Sequence, residues 1–86
     1  FQLSQLRCFV AVASELHFGR AAALLHMTQP PLTRQIQLLE HEVGGRLLDR
    51  SGGSVRLTTA GALFLIEAED ILRRSEAAVL AARRAL

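Results

Sequence analysis

The sequence predicts a mainly α fold: three short helices, a two-stranded hairpin, and one long helix that leaves the domain. Three observations carry this. Apolar residues recur at helical spacing from Leu3 to Leu16 and from Leu32 to Val43. Ser51-Gly52-Gly53-Ser54 separates two short extended runs, as a hairpin turn does. From Thr59 to Leu86 the chain contains no proline and only one early glycine.

At 86 residues, half of them apolar, the chain has room for one packed domain. No apolar run approaches the roughly 20 residues that span a bilayer, so no transmembrane helix and no membrane partner is expected. Phe1-Gln2-Leu3-Ser4 shows no basic region before an apolar stretch, so no signal peptide is expected. The single cysteine, Cys8, cannot form an internal disulfide, which points to a reducing compartment. The net charge of +2 is too mild to imply a nucleic-acid partner by itself. All ten basic residues are arginine, a planar donor suited to bases and phosphates, although GC-rich codon usage also produces that bias.

Leu3, Leu6, Phe9, Val10, Ala13 and Leu16 define a first helix over 3–15, with Ser4 as its cap. His17-Phe18-Gly19 interrupts, and Arg20–Leu25 forms a short second helix whose alanines admit a close neighbour. His26-Met27-Thr28 connects to a third helix, about 29–43. Thr28 is its expected N-cap, and Pro30 and Pro31 fit its first turn, where backbone N–H groups lack intrahelical partners. Leu32, Ile36, Leu39 and Val43 line the buried face, and Gly44-Gly45 stops the helix. Gln29, Thr33, Arg34, Gln37 and His41 fall mostly on the opposite, polar face.

Leu47–Arg50 and Val55–Thr58 are the expected strands. Thr58 then caps a helix on the order of 40 Å long, too long for a domain only about 30 Å across. The chain therefore divides into a domain over 1–58 and a projecting helix over 59–86 that needs a partner. Phe64, Ala68, Ile71, Ser75, Ala78 and Ala82 recur at coiled-coil spacing, bordered by Leu63, Leu72 and Val79, some of which must pack back on the domain's own core. Glu67, Glu69 and Asp70 lie in its first half, and Arg73, Arg74, Arg83 and Arg84 in its second. Two copies running antiparallel set opposite charges together, so a homodimer through antiparallel last helices is expected. Intrahelical Glu69–Arg73 and Asp70–Arg74 pairs compete for the same charges.

Three helices followed by a hairpin is the winged helix-turn-helix order, in which the third helix enters the DNA major groove. Leu6-Arg7-Cys8-Phe9-Val10-Ala11-Val12-Ala13, His17-Phe18-Gly19-Arg20-Ala21-Ala22 and Thr28-Gln29-Pro30-Pro31-Leu32-Thr33-Arg34-Gln35-Ile36 resemble the N-terminal domain of LysR-type transcriptional regulators. Leu39-Glu40, Leu47-Leu48-Asp49-Arg50 and Leu57-Thr58-Thr59-Ala60-Gly61 extend the resemblance over nearly the whole chain. It is similar in particular to members that control aromatic-compound catabolism. The resemblance implies a bacterial, cytoplasmic, sequence-specific DNA-binding domain with an inverted-repeat operator, and a last helix serving as linker and dimer interface. It also implies an effector-binding domain, absent from these residues, which would decide whether the full-length protein is a tetramer. Members often carry an aromatic where Cys8 stands and a basic residue at the wing tip, where this sequence has Ser-Gly-Gly-Ser.

Arg34 is the leading candidate for DNA contact, to guanine or to phosphate. Gln29 and Thr33 can donate and accept toward base edges. Pro30 and Pro31 offer apolar ring surface to a thymine methyl, and Gln37 reaches a base only if the helix lies along the groove. Thr28, Arg20 and Arg50 are candidate phosphate contacts. His17, His26, His41 and Cys8 share no metal-ligand spacing, and no nucleophile–base pair or phosphate loop is present, so neither cofactor nor catalysis is expected. The competing reading is a protein-interaction module with the same winged shape.

Overall fold

The computed structural model describes residues 1–86 as α1 (Leu3–Glu15), α2 (Phe18–Leu24), α3 (Gln29–Val43), β1 (Leu48–Asp49), β2 (Arg56–Leu57) and α4 (Thr59–Arg84). α1 is the central element, against which α2, α3 and α4 all pack. Its inward face supplies Leu6, Phe9, Val12 and Ala13, joined by Ala21 and Ala22 of α2, Leu32, Ile36 and Leu39 of α3, and Leu47 and Leu48. Cys8 belongs to this core, and burial pushes its thiol pKa up, away from reactivity.

Local chemistry corrects several expected boundaries. Ser4 does not cap α1. Gln2 is the N-cap, and its backbone N–H donates to the Gln5 side chain at 2.9 Å. Leu16 does not continue the apolar face of α1 but caps its C-terminus in the left-handed region, φ 50°, its N–H donating to Val12 O at 2.7 Å. α2 begins two residues before the expected Arg20, because the His17 ring nitrogen Nδ1 accepts the Arg20 N–H at 2.9 Å and so caps the helix. A Cβ at Gly19 would stand 2.8 Å from that ring, so the close cap requires glycine there.

Thr28 occupies the N-cap position of α3, but its hydroxyl makes no capping bond. The reason is chemical. A capping side chain accepts from the second or third helical N–H, and here those positions are Pro30 and Pro31, which have none. Gly44, at φ 98°, ends α3 with its N–H on Glu40 O at 2.8 Å. Val43, expected on the buried face, is 44% exposed, because the apolar stripe runs past the edge of the core.

β1 and β2 pair antiparallel, Leu48 opposite Leu57 and Asp49 opposite Arg56, a ladder shorter than the two four-residue runs expected. Thr58 does cap α4: its Oγ1 accepts the Gly61 N–H at 2.9 Å. α4 then projects, giving the molecule extents of 50 × 26 × 19 Å and a radius of gyration of 13.9 Å.

Two residues assigned from spacing to a dimer seam face the protein's own core instead. Ala68 is fully buried against the domain, and the Phe64 ring meets Phe9 edge-to-face at 5.4 Å. Leu72 is half-buried on the same side. Leu63, by contrast, points away at 65% exposure. Ile71, Ala78, Val79 and Ala82 are exposed and Ser75 half-buried, its hydroxyl donating to Leu72 O at 2.8 Å. The expected Asp70–Arg74 and Glu69–Arg73 pairs do not form; Asp70 pairs with Arg73 at 3.6 Å.

Candidate nucleic-acid interface

Burial of Leu32, Ile36 and Leu39 fixes which way α3 faces, and the outward face follows. Thr28, Gln29, Pro30, Pro31, Arg34 and Gln37 are exposed, and Thr33 is half-buried at the edge of the core. With Pro30 and Pro31 in its first turn, α3 offers fewer N–H groups to an anion than most helices and offers apolar ring surface instead.

Charge on this side is carried by arginines without carboxylate partners. Six arginines stand against four acids in residues 1–59. Two of the six are engaged: Arg46 with Glu40 at 3.8 Å, and Arg20 with Glu15 at 3.5 Å. Arg7, Arg34, Arg50 and Arg56 have no acid within ion-pair distance. A guanidinium already bonded to a carboxylate has fewer donors for phosphate; of the four unpaired arginines, Arg34 lies on the outward face of α3 and Arg50 lines the hollows beside it.

The candidates fall into two groups. Thr33, Gln37 and Arg50 line one hollow between α3 and the hairpin, together with Glu40 and Arg46 above Phe18, Ile36 and Leu48. Gln29 and Arg50 line a second, with His17 and the hairpin tip Gly53-Ser54. Arg50 thus links the start of α3 to the wing. Arg20 stands apart: its Nη2 donates to Glu15 O at 3.3 Å, and it lines a separate hollow with Ala23, Leu24 and His26.

The spacing of polar residues gave no hint of two side chains that shape this surface. Phe18, 5% exposed, lies beneath the Arg50 guanidinium, 4.1 Å from ring centroid to Cζ. Glu40 points from α3 to the hairpin, where Oε2 accepts the N–H groups of Leu47 at 2.7 Å and Leu48 at 3.2 Å. The available signal was a carboxylate, Glu40, one turn before the Gly-Gly stop and on the side of α3 that carries Ile36 and Leu39. At the wing, the Ser51 N–H donates to Asp49 Oδ1 at 2.9 Å, and this bond holds the Asp49 carboxyl below the usual carboxylate range, with Arg56 and Arg46 adding to the effect.

Comparison with known proteins agrees with this architecture. Residues 3–62 match the family model described as bacterial regulatory helix-turn-helix protein, lysR family. The HTH-type transcriptional regulator YnfL of Escherichia coli (strain K12) is 54% identical over 83 residues, which cover 96% of this chain and 28% of that protein. The chain thus spans little more than a quarter of this curated relative. The crystal structure of the CbnR_DBD–DNA complex superposes with a TM-score of 0.94 at 41% identity, covering 99% of this chain and 98% of that one. The BenM_DBD/catB site 1 DNA complex superposes at 0.93 and 42% identity, covering 98% and 94%. With the family model matched over most of its length, this chain belongs to the lysR family of bacterial regulatory helix-turn-helix proteins.

Proposed function

We propose that this chain is the sequence-specific, duplex-DNA-binding part of a cytoplasmic transcriptional regulator, with α3 in the major groove and the wing beside it on the backbone. One observation carries the reading: the exposed face of α3 presents Gln29, Thr33 and an unpaired Arg34, on a fold whose solved likenesses include two DNA complexes. Arg34 is the bidentate donor for guanine, Gln29 and Thr33 serve base edges, and Pro30 or Pro31 meets a thymine methyl. Arg50 and the Thr28 hydroxyl, left free by the prolines, hold phosphate and set the register. Arg20 shares its guanidinium with Glu15 and offers a phosphate only its remaining donors.

The dimer forms through the outer part of α4. With Phe64 and Ala68 committed to the core, the seam reduces to Ile71, Ser75, Ala78, Val79 and Ala82. An antiparallel register that sets Ile71 opposite Ala82 also sets Asp70 and Glu69 opposite Arg83 and Arg84, which have no intrahelical acid partner. Each such exposed pair is worth only about 0–1 kcal/mol, so charge selects the direction while apolar burial supplies the affinity. The two-fold pairing fits an inverted repeat.

The test is fluorescence anisotropy of the chain on duplex DNA against salt. Phosphate contacts release counterions, so affinity should fall steeply and linearly on a log–log plot. Salt-independent or absent binding would favour the protein-interaction module instead.

A further inference from the structure

α3 and α4 both rest on α1 through apolar contacts, which attract without fixing direction. A second, polar connection joins them, and it is directional. Glu40, on the last turn of α3, has a side chain only 12% exposed. Its Oε2 takes the N–H groups of Leu47 and Leu48 at the entry to β1. Leu47 in turn gives its carbonyl to the Thr58 N–H at 3.0 Å. The Thr58 hydroxyl donates to Arg46 O at 2.7 Å and accepts from Gly61 N at 2.9 Å, the first turn of α4. Gly61 lies so close to that strand that a Cβ would overlap Leu47 O. A continuous chain of hydrogen bonds therefore runs from α3 through the strand entry to α4.

We infer that Glu40 and Thr58 are positioning residues that fix the angle between α3 and α4, and through it the half-site spacing a dimer accepts. This rests on the DNA-binding reading above. In a dimer held by α4, the position of each α3 on the duplex depends on that angle. One base pair displaces a half-site by about 3.4 Å and about 35° around the helix axis, so a stiff linkage rejects a wrong spacing and a loose one tolerates it. Glu40 also meets Arg46 at 3.8 Å, but its shorter bonds, to the N–H groups of Leu47 and Leu48, are those by which α3 holds the strand entry.

The experiment measures anisotropy of the 86-residue chain on a selected inverted repeat, on the same repeat with one or two base pairs added or removed, and on a single half-site. Wild-type protein should lose about tenfold in affinity for a one-base-pair change. Glu40→Ala and, from the other end of the chain, Thr58→Val should cut that penalty, taken relative to each variant's own single-half-site affinity, to about threefold or less. Glu40→Gln, which keeps an acceptor oxygen, should restore most of the spacing penalty. The inference is overturned if both disruptive variants keep the full penalty or if wild type ignores spacing. Absence of sequence-specific binding by wild type overturns the DNA reading as well; normal binding with unchanged spacing in the variants overturns only this inference.

Discussion

The Arg50 guanidinium lies over the Phe18 ring, its Cζ 4.1 Å from the ring centroid. Phe18 is itself held in the core, so the wing arginine is aimed by a fixed apolar platform rather than by an acid that would compete with phosphate. A cation–π contact of this kind is worth about 0.5–1 kcal/mol or more. Phe18→Leu should weaken DNA binding by about two- to fivefold with an unchanged salt slope, since no charge is lost. Arg50→Ala should weaken binding to every sequence and lower the slope by about one. Salt titrations of the two variants, side by side, separate aiming from charge. Wild-type affinity in Phe18→Leu would show that the ring does not aim Arg50.

Arg34 has no acidic neighbour and faces outward from α3, so its loss should be felt in recognition rather than folding. Arg34→Ala should cost about 1–3 kcal/mol and relax preference at one position per half-site. Gln29→Ala and Thr33→Ala should change preference more than salt dependence. Competition assays on single-base operator variants read this directly, and an unchanged preference profile would take α3 out of the groove.

Along α4, Ile71→Asp should yield monomers in sedimentation and weaken binding to a two-half-site duplex far more than to one half-site. Cysteines placed at Ile71 and Ala82 should cross-link to each other across the two-fold. A faster Ala82-to-Ala82 cross-link would show the helices to be parallel.

Gly61 offers a stability test with a defined sign. Alanine ordinarily gains about 1 kcal/mol over glycine inside a helix. Here the new Cβ would overlap the Leu47 carbonyl, which is backbone and anchored to Thr58, so α4 must shift. Gly61→Ala should therefore destabilise by about 1–3 kcal/mol, a drop of several degrees in melting temperature. A higher melting temperature would mean the two segments are not in close contact.

The helices and the hairpin were legible because each follows from local rules: apolar spacing, a Gly-Gly stop, a Gly-Gly turn and a threonine cap. What the spacing could not reveal were choices made by packing. Phe18 reads as part of an interruption until the His17 ring is seen capping α2. Phe64 and Ala68 fit a coiled-coil repeat as well as they fit a core, and only α1 decides between them, by placing Phe9 against that face. Thr28 is a different case, since the two prolines that deny it a capping bond stand in the sequence itself. The outward face of α3 was legible because three buried residues fix it. Glu40 was not, because its partners are backbone groups brought near by the chain reversal at Gly44-Gly45.

Methylation interference on a selected duplex shows which groove α3 occupies, because guanine N7 lies in the major groove and adenine N3 in the minor. With α3 in the major groove and Arg34 on guanine, N7 methylation within each half-site should block binding, at positions arranged as an inverted repeat. Interference confined to adenine N3, or none in the half-sites, would contradict that placement of α3.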